Sequence, residues 1–442
     1  MSLSQNLEAL QETGPEGIGR FKASLDPQWI EQALQATGTA SIRRRKLAAD
    51  QAVWLVLGMG LFADRSICDL VDHLDLVIPG VESLAPSAIP QARYRLGAEP
   101  IKWLFEKVAA TWADNWPEAK KWNGLSLHAV DGTCLRVWDS DDNFEHFGKP
   151  GGRGGANDAG YPQLRMTCLM NLDTRLLRAA SFGPYAYSEH RLAASLWDHL
   201  PDDSLTILDR GFVDYKLFAA LRTSGTARHL LVRMRKNMTC EPIEVLPDGS
   251  QRAYLKPSRT LRRNHPEIVE SIEVRIIEYQ HKGGSKNRLF TTLLDSKRYP
   301  ANDLIELYHD RWEIEIAYDE LKTHMLERKE CLRSKKPTGV AQELWGMLLV
   351  YNLVRREMLL AADAHDVAPR RISFRSSLLW IRTFLLMAAQ TQAPANLPNH
   401  LGEFRSTLDV LVLPKRRKER RYPRHVKIKM SNYLRNRGNR DP

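Results

Sequence analysis

The sequence predicts a mixed α/β unit with a β-rich insertion, preceded by a helical N-terminal unit. Three observations carry this. Apolar residues recur at helical spacing from Pro27 to about Trp116, the texture changes at Leu125 to short apolar segments broken by helical stretches, and a polar, proline-dotted stretch then interrupts that pattern. The expected boundaries are 1–118 for the helical unit, 119–365 for the mixed α/β unit with its insertion at about 238–287, and 366–442 for a C-terminal helical segment and basic tail.

In the first unit the helical runs are Asp50 to Phe62, Ile67 to Leu74 and Ser87 to Leu96, the last with Pro86 before a serine cap. Short helices carrying Gln91, Arg93 and Arg95 suit a helix-turn-helix reader of DNA, since such side chains reach base edges and phosphates. A plain helical bundle fits the same pattern.

The second unit reads as strands at Leu125 to Val130, Leu135 to Trp138, Leu164 to Asn171, Leu176 to Phe182, Leu205 to Leu208 and His229 to Arg233. Helical stretches at Glu189 to Leu200 and Tyr215 to Thr223 fall between the later ones, giving four strands, helix, strand, helix, strand. The glycine-rich run at 148–160 is followed by no Gly-Lys-Ser/Thr and leads into a strand, so it reads as a flexible hairpin connection rather than a phosphate cradle. From Met238 to Asn287, four prolines and β-like runs such as Ile272 to Tyr279 mark an inserted β-rich module. Leu289 to Leu294 returns to strand texture. Asp303 to about Glu330 reads as one long amphipathic helix capped by Asp303, and Gln342 to about Ala362 as an apolar helix.

Composition narrows the class. At 442 residues, with 43% apolar and 26% charged residues, the chain is an ordinary globular protein long enough for more than one unit. The five cysteines are scattered with no Cys-x-x-Cys pair, which excludes a disulfide framework or structural zinc site and implies a reducing interior. No signal segment or bilayer-spanning run is read, so a cytoplasmic protein without membrane contact is expected. The net charge of +11 is concentrated in the tail, where residues 415 to 440 hold twelve Lys/Arg, beginning Lys415, Arg416, Arg417, against Glu419. Such a tail suits a polyanion such as DNA, or is a solvated appendage.

Two acidic residues follow apolar strands. Asp131 ends SLHAV before Gly132, and Asp209 ends SLTIL before Arg210, Gly211 and Phe212. Either alone is an ordinary turn former. Carboxylates on neighbouring backbone elements are also what a pair of Mg²⁺ ions needs for phosphoryl transfer. On the later helix, Tyr308, Arg311, Glu315 and Lys322 fall at offsets of 0, 3, 7 and 14, one stripe roughly 60° wide at about 100° per residue. That stripe is no core face, though Arg311 and Glu315 could form a surface pair. Asp319 lies within about 20° of Tyr308 and is an equal third carboxylate by geometry, while Glu313 and Glu320 point more than about 100° away and should be solvated or structural. Trp312 reads as core.

The spacing Y-HD-R-WEI-E-IAYDEL-K resembles the Tyr-x₂-Arg-x₃-Glu-x₆-Lys signature of the insertion sequence four family of bacterial transposases. VDGT at 130–133 and LDRGF at 208–212 look like that family's two Asp motifs. Residues 39–62 and ELWGMLLVYNLVRREM at 343–358 are similar to family sequence as well, so the likeness covers most of the chain.

The resemblance implies an RNase H-like catalytic fold in which Asp131, Asp209 and Glu315 are the catalytic and metal-binding triad, Glu315 being preferred to Asp319 by the family spacing. It implies two Mg²⁺ ions, with Mn²⁺ as the alternative, and double-stranded DNA as partner, both the element's terminal inverted repeats and its target. A homodimer on DNA is expected. Tyr308, Arg311 and Lys322 are expected to clamp DNA near the cut, with Arg93, Arg95, Lys415, Arg416 and Arg417 as further contacts. The expected function is cut-and-paste transposition; a metal-dependent nuclease without joining activity and a catalytically silent DNA-binding regulator are the alternatives.

Overall fold

A computed structural model describes residues 25–40, 47–73, 85–115, 121–150, 160–235, 237–280, 286–327, 331–389 and 412–413. Helices come first: α1 (Pro27–Ala36), α2 (Ala49–Leu61), α3 (Ile67–His73), α4 (Ala88–Leu96) and α5 (Glu99–Asn115). Asp26 caps α1 through Gln28 N at 2.9 Å, and Pro27 opens it, where its missing N–H costs nothing. Ser87 stands before α4 as the sequence suggests, but its side chain makes no capping bond.

The catalytic unit follows as β1 (Ser126–Val137), α6 (Asp141–Phe147), β2 (Gln163–Asn171), β3 (Leu177–Pro184), α7 (Glu189–Ala194), β4 (Ser204–Leu208), α8 (Tyr215–Thr223) and β5 (Arg228–Arg233). One reading is corrected here. The segments before and after Asp131 are a single twelve-residue strand, because β2 pairs antiparallel with it from His128 to Arg136 without a break, opposing Asp131 to Cys168 and Gly132 to Thr167. SLTIL is therefore the fourth strand, parallel to β1 with Val130 opposite Leu208. The glycine-rich run also differs from a plain hairpin loop, since α6 intervenes between β1 and β2; residues 151–159 lie outside the described set.

The polar stretch holds β6 (Glu241–Val245), β7 (Gln251–Leu255), α9 (Arg259–Asn264), β8 (Ile272–Gln280) and β9 (Lys286–Thr291). It forms no separate sheet. Strand β9 pairs antiparallel with β5, so the ten strands run β3-β2-β1-β4-β5-β9-β8-β7-β6, with the short β10 (Cys331–Leu332) beside β1. An antiparallel β3-β2-β1 arm joined to parallel β1-β4-β5 is the RNase H-like arrangement, here prolonged by the insertion's hairpins.

The long helix expected from Asp303 is broken. It consists of α10 (Ala301–His309), which starts at Pro300 and leaves Asp303 inside its first turn, then α11 (Trp312–Asp319), then a π-helical turn at Glu320–Met325. Two further helices close the chain's described part, α12 (Pro337–Ala364) and α13 (Phe374–Ala389).

Helix α12 is the spine of the molecule. Nearly all of it is buried, and it packs against α2, α5 and α13. Its crossing with α2 is close because glycines meet there: a Cβ at Gly346 would lie 2.7 Å from Val56 Cγ1 and 3.1 Å from Val56 O, and one at Gly60 would lie 3.1 Å from Val350. A single hydrophobic cluster runs from Leu55 and Phe105 in the N-terminal helices through Leu348 to Leu127 and Ile207 in the sheet. The helical unit thus shares its core with the catalytic unit. Among the described residues no helix is long and apolar enough to cross a membrane.

Candidate active site

Asp131 projects from the middle of β1 toward α11. Its Oδ1 accepts a hydrogen bond from Gly132 N at 2.8 Å, and its Oδ2 faces Arg311 Nη1 at 3.3 Å. The neighbouring Gly132 leaves room for Glu189, whose Cδ would stand 2.5 Å from a Cβ there and would have to swing aside. The carboxyl is 17% exposed, and burial pushes its pKa up to about 6, against the pull of the Gly132 N–H and Arg311 and with a further push from Asp209 and Glu315. Asp209 and Glu315 therefore each stand within electrostatic reach of Asp131.

Asp209 follows β4 and caps a short 3₁₀ turn, its Oδ1 accepting from Gly211 N at 2.6 Å and Phe212 N at 3.3 Å. A Cβ at Gly211 would sit 2.8 Å from that oxygen, so the glycine of LDRGF is what lets the carboxylate fold back on its own turn. The turn-former reading holds here: one oxygen accepts the two cap N–H groups, while the charge of the group still acts on Asp131.

Glu315 lies on the first turn of α11, where the helix N-terminus favours a carboxylate. Its side chain is 36% exposed and takes Arg311 Nη2 at 2.7 Å. Arg311 thus joins Asp131 on the sheet to Glu315 on the helix. Tyr308, 8% exposed, is more enclosed than a surface clamp would be; burial pushes its phenol up to about 12, with Arg311 and Asp209 among its electrostatic neighbours. Lys322 lies in the π turn, close enough to Cys134 of β1 to act on its thiol. The break at Asp310 and the π turn mean that the stripe is assembled from two helices and a wider turn, yet all four of its residues remain near the β1–β4 end.

Asp319 makes no hydrogen bond or ion pair with Asp131 or Arg311 among the described residues. It is exposed and accepts a hydrogen bond from Thr323 Oγ1 at 2.8 Å. Glu313 and Glu320 are structural, as the helical wheel allows, each buried against arginine. Trp312 departs from its expected core role: it is 43% exposed, with the Arg311 guanidinium 5.3 Å from its ring, because the break places it at the start of α11 rather than mid-helix.

The Arg93 expectation is corrected. Arg93 is 6% exposed and spends its guanidinium on Gln342 Oε1 at 2.8 Å, Ser334 Oγ at 3.1 Å and Gly339 O at 3.1 Å. It ties α4 to the start of α12, which is a structural role and not the exposed placement expected of a DNA contact. Arg95 is exposed on the same helix. Lys415, Arg416 and Arg417 lie outside the described residues.

Several residues that touch this region were not singled out by sequence reasoning. Tyr318 donates its hydroxyl to Asp131 O at 2.5 Å and receives Cys168 N at 3.2 Å, locking α11 onto β1 and β2. Its position one helical turn past Glu315 was a usable signal. Glu189, paired with Arg165 at 3.6 Å, and His190, whose Nε2 lies 2.7 Å from Gly211 O, come from α7 and had none.

The donor set suits a hard divalent cation, three carboxylates and no sulfur. It is not a ready cage, for no three such side chains converge among the described residues and the Arg311 guanidinium lies between two of them. Acidic residues on β1, after β4 and on a later helix of an RNase H-like sheet fit a phosphoryl-transfer enzyme of the Asp-Asp-Glu class.

Comparison with known proteins specifies the family. Residues 15–106 match the insertion element 4 transposase N-terminal family, and residues 122–353 match the transposase DDE domain. The chain is 37% identical over 405 residues to transposase InsG for insertion sequence element IS4 of Escherichia coli K12, covering 91% of this chain and 90% of that one. It is 34% identical to the putative transposase InsZ of the same organism over 52% of this chain and 76% of that one. Among solved structures, piggyBac transposase in a synaptic complex with hairpin DNA aligns at a TM-score of 0.44 and 12% identity, over 92% of this chain and 89% of that one. The chain belongs to the insertion element 4 family of DDE transposases. It is an enzyme of DNA cleavage and transfer, dependent on divalent metal as its domain class is.

Proposed function

We propose that this transposase recognises the terminal inverted repeats of its own insertion sequence, acting as a homodimer on DNA, and that Asp131, Asp209 and Glu315 hold two Mg²⁺ ions at the scissile phosphate. The observation that carries this is Arg311 joining Asp131 to Glu315, with Asp209 near enough to act on Asp131, which draws together three side chains from elements far apart in the chain. When bound, the metal pair supplies charge stabilisation for the attacking and leaving oxygens.

The protein's own groups do the rest. Burial of Asp131 excludes water from one wall of the site. The Asp209 cap fixes that carboxylate's orientation through two backbone N–H groups. The Arg311 guanidinium, once it exchanges a carboxylate partner for a phosphate, grips two oxygens with its planar fork. Lys322 supplies a point charge farther along the strand, and Tyr308 Oη offers a hydrogen-bond donor beside Asp209. The exposed Arg95 and the basic tail from Lys415, Arg416 and Arg417 add phosphate contacts that position without reading sequence.

The test is alanine substitution at each carboxylate, assayed on DNA carrying the inverted repeats that flank the gene. Asp131→Ala, Asp209→Ala and Glu315→Ala should each lower cleavage by at least about 100-fold while end binding survives. Asp319→Ala should cleave normally. A dead Asp319 variant beside an active Glu315 variant would move the third ligand. Cleaved products without joined ones would return the protein to the nuclease alternative.

A further inference from the structure

Beside the Tyr-Arg-Glu-Lys stripe, the same segment carries a second set of charges, half-buried at Asp310 and buried at Glu313 and Glu320. Asp310, Glu313 and Glu320 alternate with the site-facing residues, and each meets an arginine from another element. Arg370 binds Asp310 at 2.9 and 3.3 Å, Arg175 pairs with Glu313, and Arg355 of α12 pairs with Glu320. Glu320 is the hub. Its carboxylate also takes Tyr351 Oη at 3.3 Å and lies 3.8 Å from Arg175 Nη1, with only 8% of the side chain exposed. Arg175 reaches it from the β2–β3 turn in a left-handed backbone conformation, φ 57°, which an arginine rarely adopts.

Glu320 is also the first residue of the π turn, whose i→i+5 bond, Leu326 N to Leu321 O, measures 3.0 Å. A π turn winds less per residue than an α-helix, so every residue beyond Glu320 lags its α-helical direction, by an angle on the order of tens of degrees at Lys322. Ion pairs enclosed in this way add little net stability compared with apolar packing but tolerate only one register, because any slip strands a charge without its partner. The network therefore selects the direction in which Lys322 leaves the helix.

We propose that Glu320, held by Arg355, Arg175 and Tyr351, is a positioning residue that sets the angular phase of Lys322 relative to Glu315. This rests on Lys322 being a strand-positioning group, as argued above.

The experiment is a double-mutant cycle of Glu320→Gln and Lys322→Ala in the full chain, reading cleavage rate, position of the cut on end-bearing DNA, and melting temperature. Glu320→Gln keeps the shape and an acceptor for Arg355 while removing the charge. It should slow cleavage about 10-fold and scatter the cut position, as a misplaced clamp does. In the Lys322→Ala background it should cost no further rate, while lowering the melting temperature as much as it does alone. If the two rate losses multiply instead, Glu320 acts through general stability and the proposal fails. If Lys322→Ala itself leaves cleavage and joining at full rate, the strand-positioning reading of the lysine fails first and takes this one with it. Tyr351→Phe, which removes one hydrogen bond and no charge, gives the same cycle should Glu320→Gln not fold: an effect on rate that persists without Lys322 again overturns the proposal.

Discussion

Replacing Asp131 by asparagine should make the metal-free protein more stable at neutral pH while abolishing cleavage. The magnitude follows from the carboxyl's raised pKa, about 6 against an ordinary 3.8. Roughly two units at 1.36 kcal/mol each come to about 3 kcal/mol of strain carried by the ionised group. The sign is fixed by linkage. An acid whose pKa is raised by folding binds its proton more tightly in the native state, so stability is greatest below about pH 4 and falls as pH climbs to about 6. Burial is the largest cause, and with the side chain 17% exposed, solvent screening removes little of it. The neutral asparagine carries no such penalty. At about 2.1 cal/mol/K per residue, a chain of this size unfolding as a unit would gain about 3 °C in melting temperature at pH 7. Scanning calorimetry in chelator should show that gap shrinking between pH 6 and pH 4. Added Mg²⁺ should narrow it from the other side by raising the wild-type value alone. An asparagine variant that melts below wild type at pH 7, or a gap independent of pH, would refute the reasoning.

Other expectations are as direct. Arg93→Ala should lower stability by about 3 kcal/mol by stranding the buried Gln342 and Gly339 acceptors, and should leave the DNA affinity of the folded protein unchanged in a gel-shift titration. Gly346→Ala should melt lower than wild type, since overpacking of about 1–3 kcal/mol against Val56 exceeds the gain in helix propensity of about 1 kcal/mol; a higher melting temperature would show that the crossing can open. Deleting residues 415–442 should flatten the slope of log affinity against log salt for specific and non-specific DNA alike, and an unchanged slope would make the tail a solvated appendage.

How much of this was legible in the sequence depended on whether a signal was local. Asp209 and the Tyr308–Lys322 stripe could be singled out because a strand end and helical spacing are short-range properties, whereas Asp131 was singled out through a strand end that the structure does not have. Strand β1 was misread as two because Asp131 and Gly132 have the composition of a turn, and only pairing with β2 carries the strand through them. Helix periodicity gave no warning of the break at Asp310 or of the π turn, since both preserve the apolar pattern. Arg93 looked like a DNA contact because an arginine on a short helix reads alike whether its partner is a phosphate or the remote Gln342. Residues such as Glu189, brought to Gly132 by tertiary packing alone, leave no trace in their own neighbourhood.

The glycine crossing of α2 and α12 bears on how such a gene can be expressed. The face of α12 that receives Val56 carries Gly346 and Val350, and the neighbouring Trp345 of the same helix packs against Phe105 of α5, ring centroids 5.3 Å apart. A product translated from an internal start, lacking the first helices, would retain all three acidic residues yet leave that face bare in water. Such a fragment should aggregate rather than compete for element ends, which sedimentation of a chain begun at residue 119 would check.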